Sequence, residues 1–194
     1  MIRAGFTFEN PLTQSGWVVI ESDAETNGMG WTLEIRCAPK ARPDILEHLH
    51  LTWTETFEII SGVAHYKLDG LQKTANAGET IVMPPRQPHI HPWNAGDTEL
   101  VYRQVTKFEQ ANPQAVQDVI GVFATLFGLA RERKVSKSGL PKNPLQFAAT
   151  TRTLARYDGY DPRFPIPMQK VLAATLGRLA EALGYKGVYP QHVQ

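Results

Sequence analysis

The chain has 194 residues, 42% of them hydrophobic and 20% charged, with a formal net charge of +1. A balance this close to neutral provides no strong field for nucleic acid or an anionic membrane, so we expect neither as a partner. A single cysteine, Cys37, excludes an intrachain disulfide framework. With no signal-peptide pattern in residues 1–12, these features predict a cytoplasmic protein.

The first half of the chain predicts a series of short strands. Residues 31–38 alternate apolar and polar side chains, with Trp31, Leu33, Ile35 and Cys37 on one face. Further strands are predicted at 17–21, 55–61, 63–69, 79–83 and 98–107. Turn signals such as Asp69-Gly70 and Pro84-Pro85 separate them at intervals of about 8 to 12 residues, as in sandwiches and barrels.

The hydrophobic period changes from about 2 to about 3.6 near Asn112. Asn112-Pro113 and Asn143-Pro144 each have the form of an N-cap followed by a proline in the first turn, and Pro167 opens a third helix. The third helix carries an apolar stripe of Leu172, Leu176, Leu179 and Leu183. We therefore predict a β domain over residues 1–110 and a helical extension over 111–194, which docks on the barrel or on a partner subunit. The stripes favour a homodimer.

The segment Glu47–Gly62 contains the first candidate for chemistry. His48 and His50 are two residues apart, so their side chains point the same way only on an extended strand. Imidazoles that converge with a carboxylate such as Glu55 suit a divalent first-row metal. The alternative is a solvent-exposed strand that happens to carry two histidines.

Two spaced motifs extend this segment. The first is His48-x-His50, four residues, Glu55, six residues and Gly62; the second is Gly78, five residues, Pro84, then Pro88-His89 and Asn94. In order and spacing they resemble the two motifs of the cupin superfamily, over roughly residues 31–107. The resemblance implies a double-stranded β-helix, an antiparallel jelly roll, with a divalent metal ion near one mouth. It implies as metal ligands His48, His50, Glu55 and His89.

The resemblance has two departures in its loops. Arg42 stands where the first motif has a glycine, and Pro85-Arg86 replaces a glycine of the second motif, whose Asn94 comes one residue late. Because such glycines serve tight turns, the loops are expected to be reshaped. The helical extension resembles that of a group of bacterial cupin-domain proteins, through LFGLARERKVSKSGLPKNPLQFA and LGRLAEALGYK.

Four further residues are candidates for substrate binding: Phe57, His91, Trp93 and Tyr102. Phe57 shares the inward face of its strand with Glu55 and is either a cavity wall or a core residue. His91 could replace His89 as a ligand, could donate a hydrogen bond to a ligand, or could be a loop histidine. If His48 and His50 point inward, the outward side chains of Leu49 and Leu51 need cover from the extension or a second subunit.

The function that these residues and the resemblance together imply is a metal-dependent cupin that acts on a small organic molecule in the barrel; oxygenase, isomerase and lyase chemistry are the commoner options of the family it resembles. Iron, manganese, nickel and zinc are all chemically admissible. A non-enzymatic small-molecule-binding or sensor cupin is the alternative, and a scaffold whose helical tail is the functional part is a third reading. No general base can be assigned, so the catalytic residues are unknown.

Overall fold

Short strands with alternating burial form the first part of the chain. The computed structural model describes residues 1–193. In chain order the strands are β1 (Thr7–Asn10), β2 (Ser15–Glu21), β3 (Gly30–Cys37), β4 (Leu49–His50), β5 (Trp53–Ser61), β6 (Val63–Leu68), β7 (Leu71–Asn76), β8 (Thr80–Met83), β9 (His89–Trp93) and β10 (Leu100–Phe108). A short helix, α1 (Asp23–Thr26), lies between β2 and β3.

The strands form an antiparallel jelly roll. The large sheet has the order β1-β2-β3-β10-β5-β8, and the second sheet has the order β7-β6-β9. Side chains from both sheets share one hydrophobic core. The predicted inner face of β3 is confirmed, since Trp31, Leu33, Ile35 and Cys37 are all buried.

The helices follow the barrel. They are α2 (Pro113–Arg131), α3 (Pro144–Arg156), α4 (Ile166–Ala174) and α5 (Leu176–Ala182), with a final strand β11 (Gly159–Tyr160) after α3 and a 3-10 turn at Pro190–His192. Both predicted asparagine caps are confirmed. The Asn112 side chain accepts a hydrogen bond from the Ala115 amide at 3.0 Å, and that of Asn143 accepts one from the Leu145 amide at 2.9 Å.

Helix α2 packs against the buried face of β1 and β2. Its Phe127 packs on Phe8 and Trp17, with ring centroids 5.6 and 5.2 Å apart, and Phe123 also contacts Trp17. By length and composition α2 could cross a membrane, but 67% of its most apolar window is buried inside the protein, as in a core helix. Helix α2 therefore completes the core of the barrel.

The last predicted helix is interrupted. At Thr175 the backbone leaves the helical region, and the Thr175 hydroxyl donates to the Val171 carbonyl at 2.8 Å, so the segment divides into α4 and α5. A hydroxyl that bonds back to the preceding turn bends helices. The predicted leucine stripe faces outward, since Leu172, Leu176, Leu179 and Leu183 are 44% to 58% exposed.

Candidate metal centre

The first histidine segment is held by very little regular structure. Strand β4 has two residues, and His48 precedes it in an isolated bridge with His89. The His48 amide donates to the His89 carbonyl at 3.0 Å, and the His89 amide donates back at 2.9 Å. Because directly opposed residues of an antiparallel pair lie on the same face, this bridge brings the two imidazoles together, with ring centroids 4.4 Å apart.

A half-buried carboxylate fixes the loop before His48. Asp44 accepts hydrogen bonds from Asn10 at 2.9 Å, from Ser15 at 2.7 Å and from the Trp17 indole at 3.0 Å. The Thr13 hydroxyl donates to the same carboxylate. Four donors from β1, β2 and their connection thus anchor the loop that leads into the histidine segment.

The second histidine segment contains an irregularity. In the pairing of β9 with β6, Leu68 lies opposite His89 and Lys67 opposite Ile90, but His65 lies opposite Trp93. One extra residue in β9 is therefore accommodated by a bulge, which shifts the face that its side chains occupy. His91 remains buried on the side of His89, whereas Trp93 packs on His65 with ring centroids 6.0 Å apart.

In the turn before His89, Arg86 has the backbone conformation expected of the glycine that it replaces. Arg86 has a φ of +70°, in the left-handed region that glycine occupies most easily. Its amide donates to the His50 carbonyl at 2.7 Å. The sequence departs from the motif here, but the loop still reaches the first histidine segment.

The carboxylate of Glu55 lies at the centre of the histidines. Its Oε2 atom is 2.8 Å from Nε2 of His91, 3.1 Å from Nε2 of His50 and 3.2 Å from Nε2 of His89. One ligand atom each from His48, Glu55, His89 and His91 all lie within 4.8 Å of one another. Among residues 1–193 these four form the one group of three or more such side chains close enough to hold a metal ion.

Backbone carbonyls orient two of the rings. Nδ1 of His48 is 2.9 Å from the Leu46 carbonyl, and Nδ1 of His89 is 2.7 Å from the Gln87 carbonyl. A carbonyl only accepts, so Nδ1 carries the proton in both rings and Nε2 of each neutral ring presents a lone pair. This is the usual arrangement of metal-binding histidines, whose second nitrogen donates to the protein.

The contacts to Glu55 suit a cation better than hydrogen bonds alone. A neutral His89 ring places a lone pair against Oε2, and three imidazoles crowd one oxygen that has two lone pairs. Adjacent ligands about 2.1 Å from an octahedral ion lie about 3.0 Å apart, close to the separations found here. The residues present therefore fit a divalent metal ion.

The electrostatics favour the protonation state that binds metal. Burial, and the proximity of His89 and His91, lower the pKa of His48 well below its ordinary value. Burial also lowers the pKa of His50, although Glu55 opposes this. Burial by itself would raise the pKa of Glu55, but the neighbouring His91 and His50 hold it well below its ordinary value. Neutral imidazoles beside an ionised carboxylate are competent ligands.

Strand β10 supplies two polar residues that sequence reasoning missed. The Gln104 amide donates to Oε1 of Glu55 at 2.7 Å and lies 3.2 Å from the Thr106 hydroxyl; both residues are buried. Gln104 and Thr106 lie two and four residues after Tyr102, so they share its face of the strand. Once Tyr102 is placed inside the barrel, strand alternation points both of them inward as well.

The predicted site residues fall into three groups. His48, Glu55 and His89 belong to the compact group, which includes His91 and leaves out His50. His50 stays within hydrogen-bonding distance of Glu55. Phe57 and Tyr102 are fully buried beside the cluster, with the Phe57 ring 4.9 Å from that of His91 and 5.9 Å from that of Tyr102. The structure does not bring Trp93 to the cluster, because the bulge turns it outward.

The sequence comparison agrees with this architecture. The family model described as the cupin domain matches residues 35–105, a range that contains both histidine segments and Glu55. The barrel of this chain is a cupin domain. No curated protein matches the sequence.

Three solved structures illustrate what this cupin is similar to. A predicted oxalate decarboxylase from Thermotoga maritima is 18% identical, with 55% of this chain and 93% of that chain covered and a TM-score of 0.47. A sugar phosphate isomerase from Silicibacter pomeroyi is 15% identical over 55% and 70% of the two chains, with a TM-score of 0.43. The cupin domain of an XRE family transcriptional regulator from Enterobacter cloacae is 17% identical over 50% and 98%, with a TM-score of 0.42.

Proposed function

We propose that this cupin is a metal-dependent enzyme that acts on a small organic molecule at the mouth of the barrel. The observation that carries the proposal is the meeting of three imidazole nitrogens within 3.2 Å of one Glu55 oxygen, with His48 beside them. His48, Glu55, His89 and His91 would hold the ion, with His50 as the fifth candidate. A divalent ion would supply Lewis-acid chemistry, suited to oxygenase, isomerase or lyase reactions.

The chain's own residues would prepare the site. Gln104 fixes the orientation of the Glu55 carboxylate through its hydrogen bond to Oε1. Phe57 and Tyr102 close the inner side of the cluster and exclude water from it. His48 is the most exposed of the five candidate ligands, so a substrate would approach past this residue.

Metal binding tests the proposal first. Metal-stripped protein titrated with Co²⁺ should bind one ion per chain, and His48→Ala should lower the affinity by about 100-fold or more because it removes a ligand. His65→Ala is a matched control, since His65 packs on Trp93 away from the cluster. The proposal fails if the wild-type protein binds no divalent ion or if His48→Ala leaves binding unchanged.

The choice between His50 and His91 can be made with two more variants. Because His91 is in the compact group and its Nε2 is closest to Glu55, we expect His91→Ala to weaken Co²⁺ binding more than His50→Ala does. If His91→Ala binds Co²⁺ as tightly as the wild-type protein does, His91 is not a ligand, and His50 is a ligand as the sequence predicted.

A non-enzymatic binding or sensor protein is the second candidate. His50, Glu55, His89 and His91 are each at most 4% exposed, which favours a site that holds a ligand rather than one that turns over a large substrate. Oxygen consumption and product formation with small enols and catechols separate the two. Turnover by the metal-loaded protein supports the enzyme, and saturable binding without product supports the sensor.

We also propose that the protein is a cytoplasmic homodimer. The exposed leucines of α4 and α5 support self-association, because surfaces of this kind usually mark interaction sites. Sedimentation equilibrium of the wild-type protein and of Leu179→Ser tests it: the wild type should have twice the chain mass, and the variant should be shifted toward monomer. A monomeric wild type would contradict the proposal.

A further inference from the structure

The metal-site strand β4 is too short to hold its own geometry. A two-residue strand has few backbone hydrogen bonds, and a loop rather than another strand precedes it. Its position is therefore set by its neighbours on either side. The bridge between His48 and His89 provides one side.

The C-terminal segment provides the other side. Strand β11 pairs with β4 so that Gly159 lies opposite His50 and Tyr160 opposite Leu49. The Leu51 amide donates to the Asp158 carbonyl at 3.2 Å. Tyr160 and Leu49 are buried, so the side chain predicted to need cover receives it from the extension.

Strand β11 is in turn tied to the rest of the molecule. The Tyr160 hydroxyl donates to the Ala155 carbonyl at the end of α3, at 3.3 Å. The Tyr157 hydroxyl donates to Asp118 on α2 at 2.5 Å, and α2 is packed on the barrel. The segment thus connects α2 and α3 to the strand that carries His50.

We propose that Gly159–Tyr160 is a positioning element of the metal site, because its pairing with Leu49–His50 fixes the backbone from which His50 and the adjacent His48 project. The proposal rests on the proposed metal function. It assigns the helical extension a part in the chemistry of the barrel: the extension determines how tightly, and with what coordination, the site holds its ion.

Tyr160→Ala tests the proposal, with Tyr160→Phe and Tyr185→Ala as controls. Tyr185 is a tyrosine of the same extension. Its hydroxyl accepts a hydrogen bond from the Asn143 side-chain amide, away from β4. We expect Tyr160→Ala to weaken Co²⁺ binding by about 10- to 100-fold, the usual effect of losing support for a metal ligand. The d–d absorption of the Co²⁺-loaded protein should change in Tyr160→Ala and stay the same in Tyr185→Ala. Tyr160→Phe keeps the buried ring and loses only the 3.3 Å hydroxyl bond to Ala155, so it should restore most of the affinity and the spectrum.

Amide hydrogen exchange gives a readout that does not depend on metal. Protection of the Leu51 amide should be lost in metal-free Tyr160→Ala and retained in Tyr185→Ala. If Tyr160→Ala does not fold, Tyr160→Leu is measured in the same way. Unchanged affinity, spectrum and Leu51 protection would overturn the positioning role while the metal function stands. Failure of the wild-type protein to bind Co²⁺ would overturn the metal function and, with it, this proposal.

Discussion

The two histidine segments that meet at Glu55 are held in different ways. His89 and His91 belong to the five-residue strand β9, which pairs with β6 inside the barrel. His48 and His50 lie at a two-residue strand held by the Asp44 anchor, the His89 bridge and the C-terminal strand β11. Of the five candidate ligands, His89 and His91 therefore depend on regular sheet pairing, whereas His48 and His50 depend on contacts from distant parts of the chain.

Removal of the Asp44 anchor should have the largest effect on the first segment. Asp44→Ala leaves four donors, including the Trp17 indole, without their acceptor. Since hydrogen bonds to a charged group contribute about 1.5 to 3 kcal/mol each and are not additive, we expect the free energy of unfolding to fall by about 3 to 4 kcal/mol. Urea denaturation measures this change.

Asp97→Ala is the matched control for that variant. Asp97 is 83% exposed and pairs with the exposed Lys40, so its loss should change stability by about 0.5 kcal/mol or less. Equal midpoints for the two variants would show that Asp44 does not anchor the first segment.

A change at Gln104 should act on both segments, through Glu55. Gln104→Met removes the donor to Oε1 and should cost about 1 to 2 kcal/mol of stability. It should also weaken Co²⁺ binding by about 10-fold, because a ligand loses its support. Gln72→Met on the exposed strand β7 should leave both quantities unchanged. Co²⁺ affinity equal to wild type in Gln104→Met would mean that Glu55 needs no orientation by β10.

A smaller effect is expected from pH, through the stability of the metal-free protein and the two histidines of the first segment. The pKa of His48 and the pKa of His50 are both lowered by burial from the ordinary 6.5, so the unfolded chain takes up protons first as the pH falls. Stability is fully present above about pH 6.5 and declines below it. Chemical denaturation of chelator-treated protein at several pH values measures the decline; constant stability from pH 7 to pH 5 would be inconsistent with these shifts.

Much of the fold could be predicted from the sequence because the patterns that indicate strands and helix ends are local. Alternation on β3 and the caps at Asn112 and Asn143 depend on a few neighbouring residues, and the structure confirms them. The break at Thr175 was missed, because a hydroxyl that bends a helix and one that faces solvent look the same in sequence.

The sequence indicated which residues form the candidate site, but not how their side chains are arranged. Two motifs indicated that His48, Glu55 and His89 would converge, and the structure places them together. The outward turn of Trp93 follows from a bulge near Pro92, which strict alternation cannot anticipate. Likewise the pairing of β11 with β4 joins residues more than a hundred positions apart, and no local pattern in Gly159–Tyr160 reveals its partner.

Anomalous diffraction from crystals of the Mn²⁺-loaded protein would show whether Glu55 and the histidines around it share one bound ion. We expect one peak per chain within about 2.0 to 2.4 Å of Oε2 of Glu55 and of the Nε2 atoms of His89 and His91. A peak at any other place in the chain, or none at full Mn²⁺ loading, would contradict it.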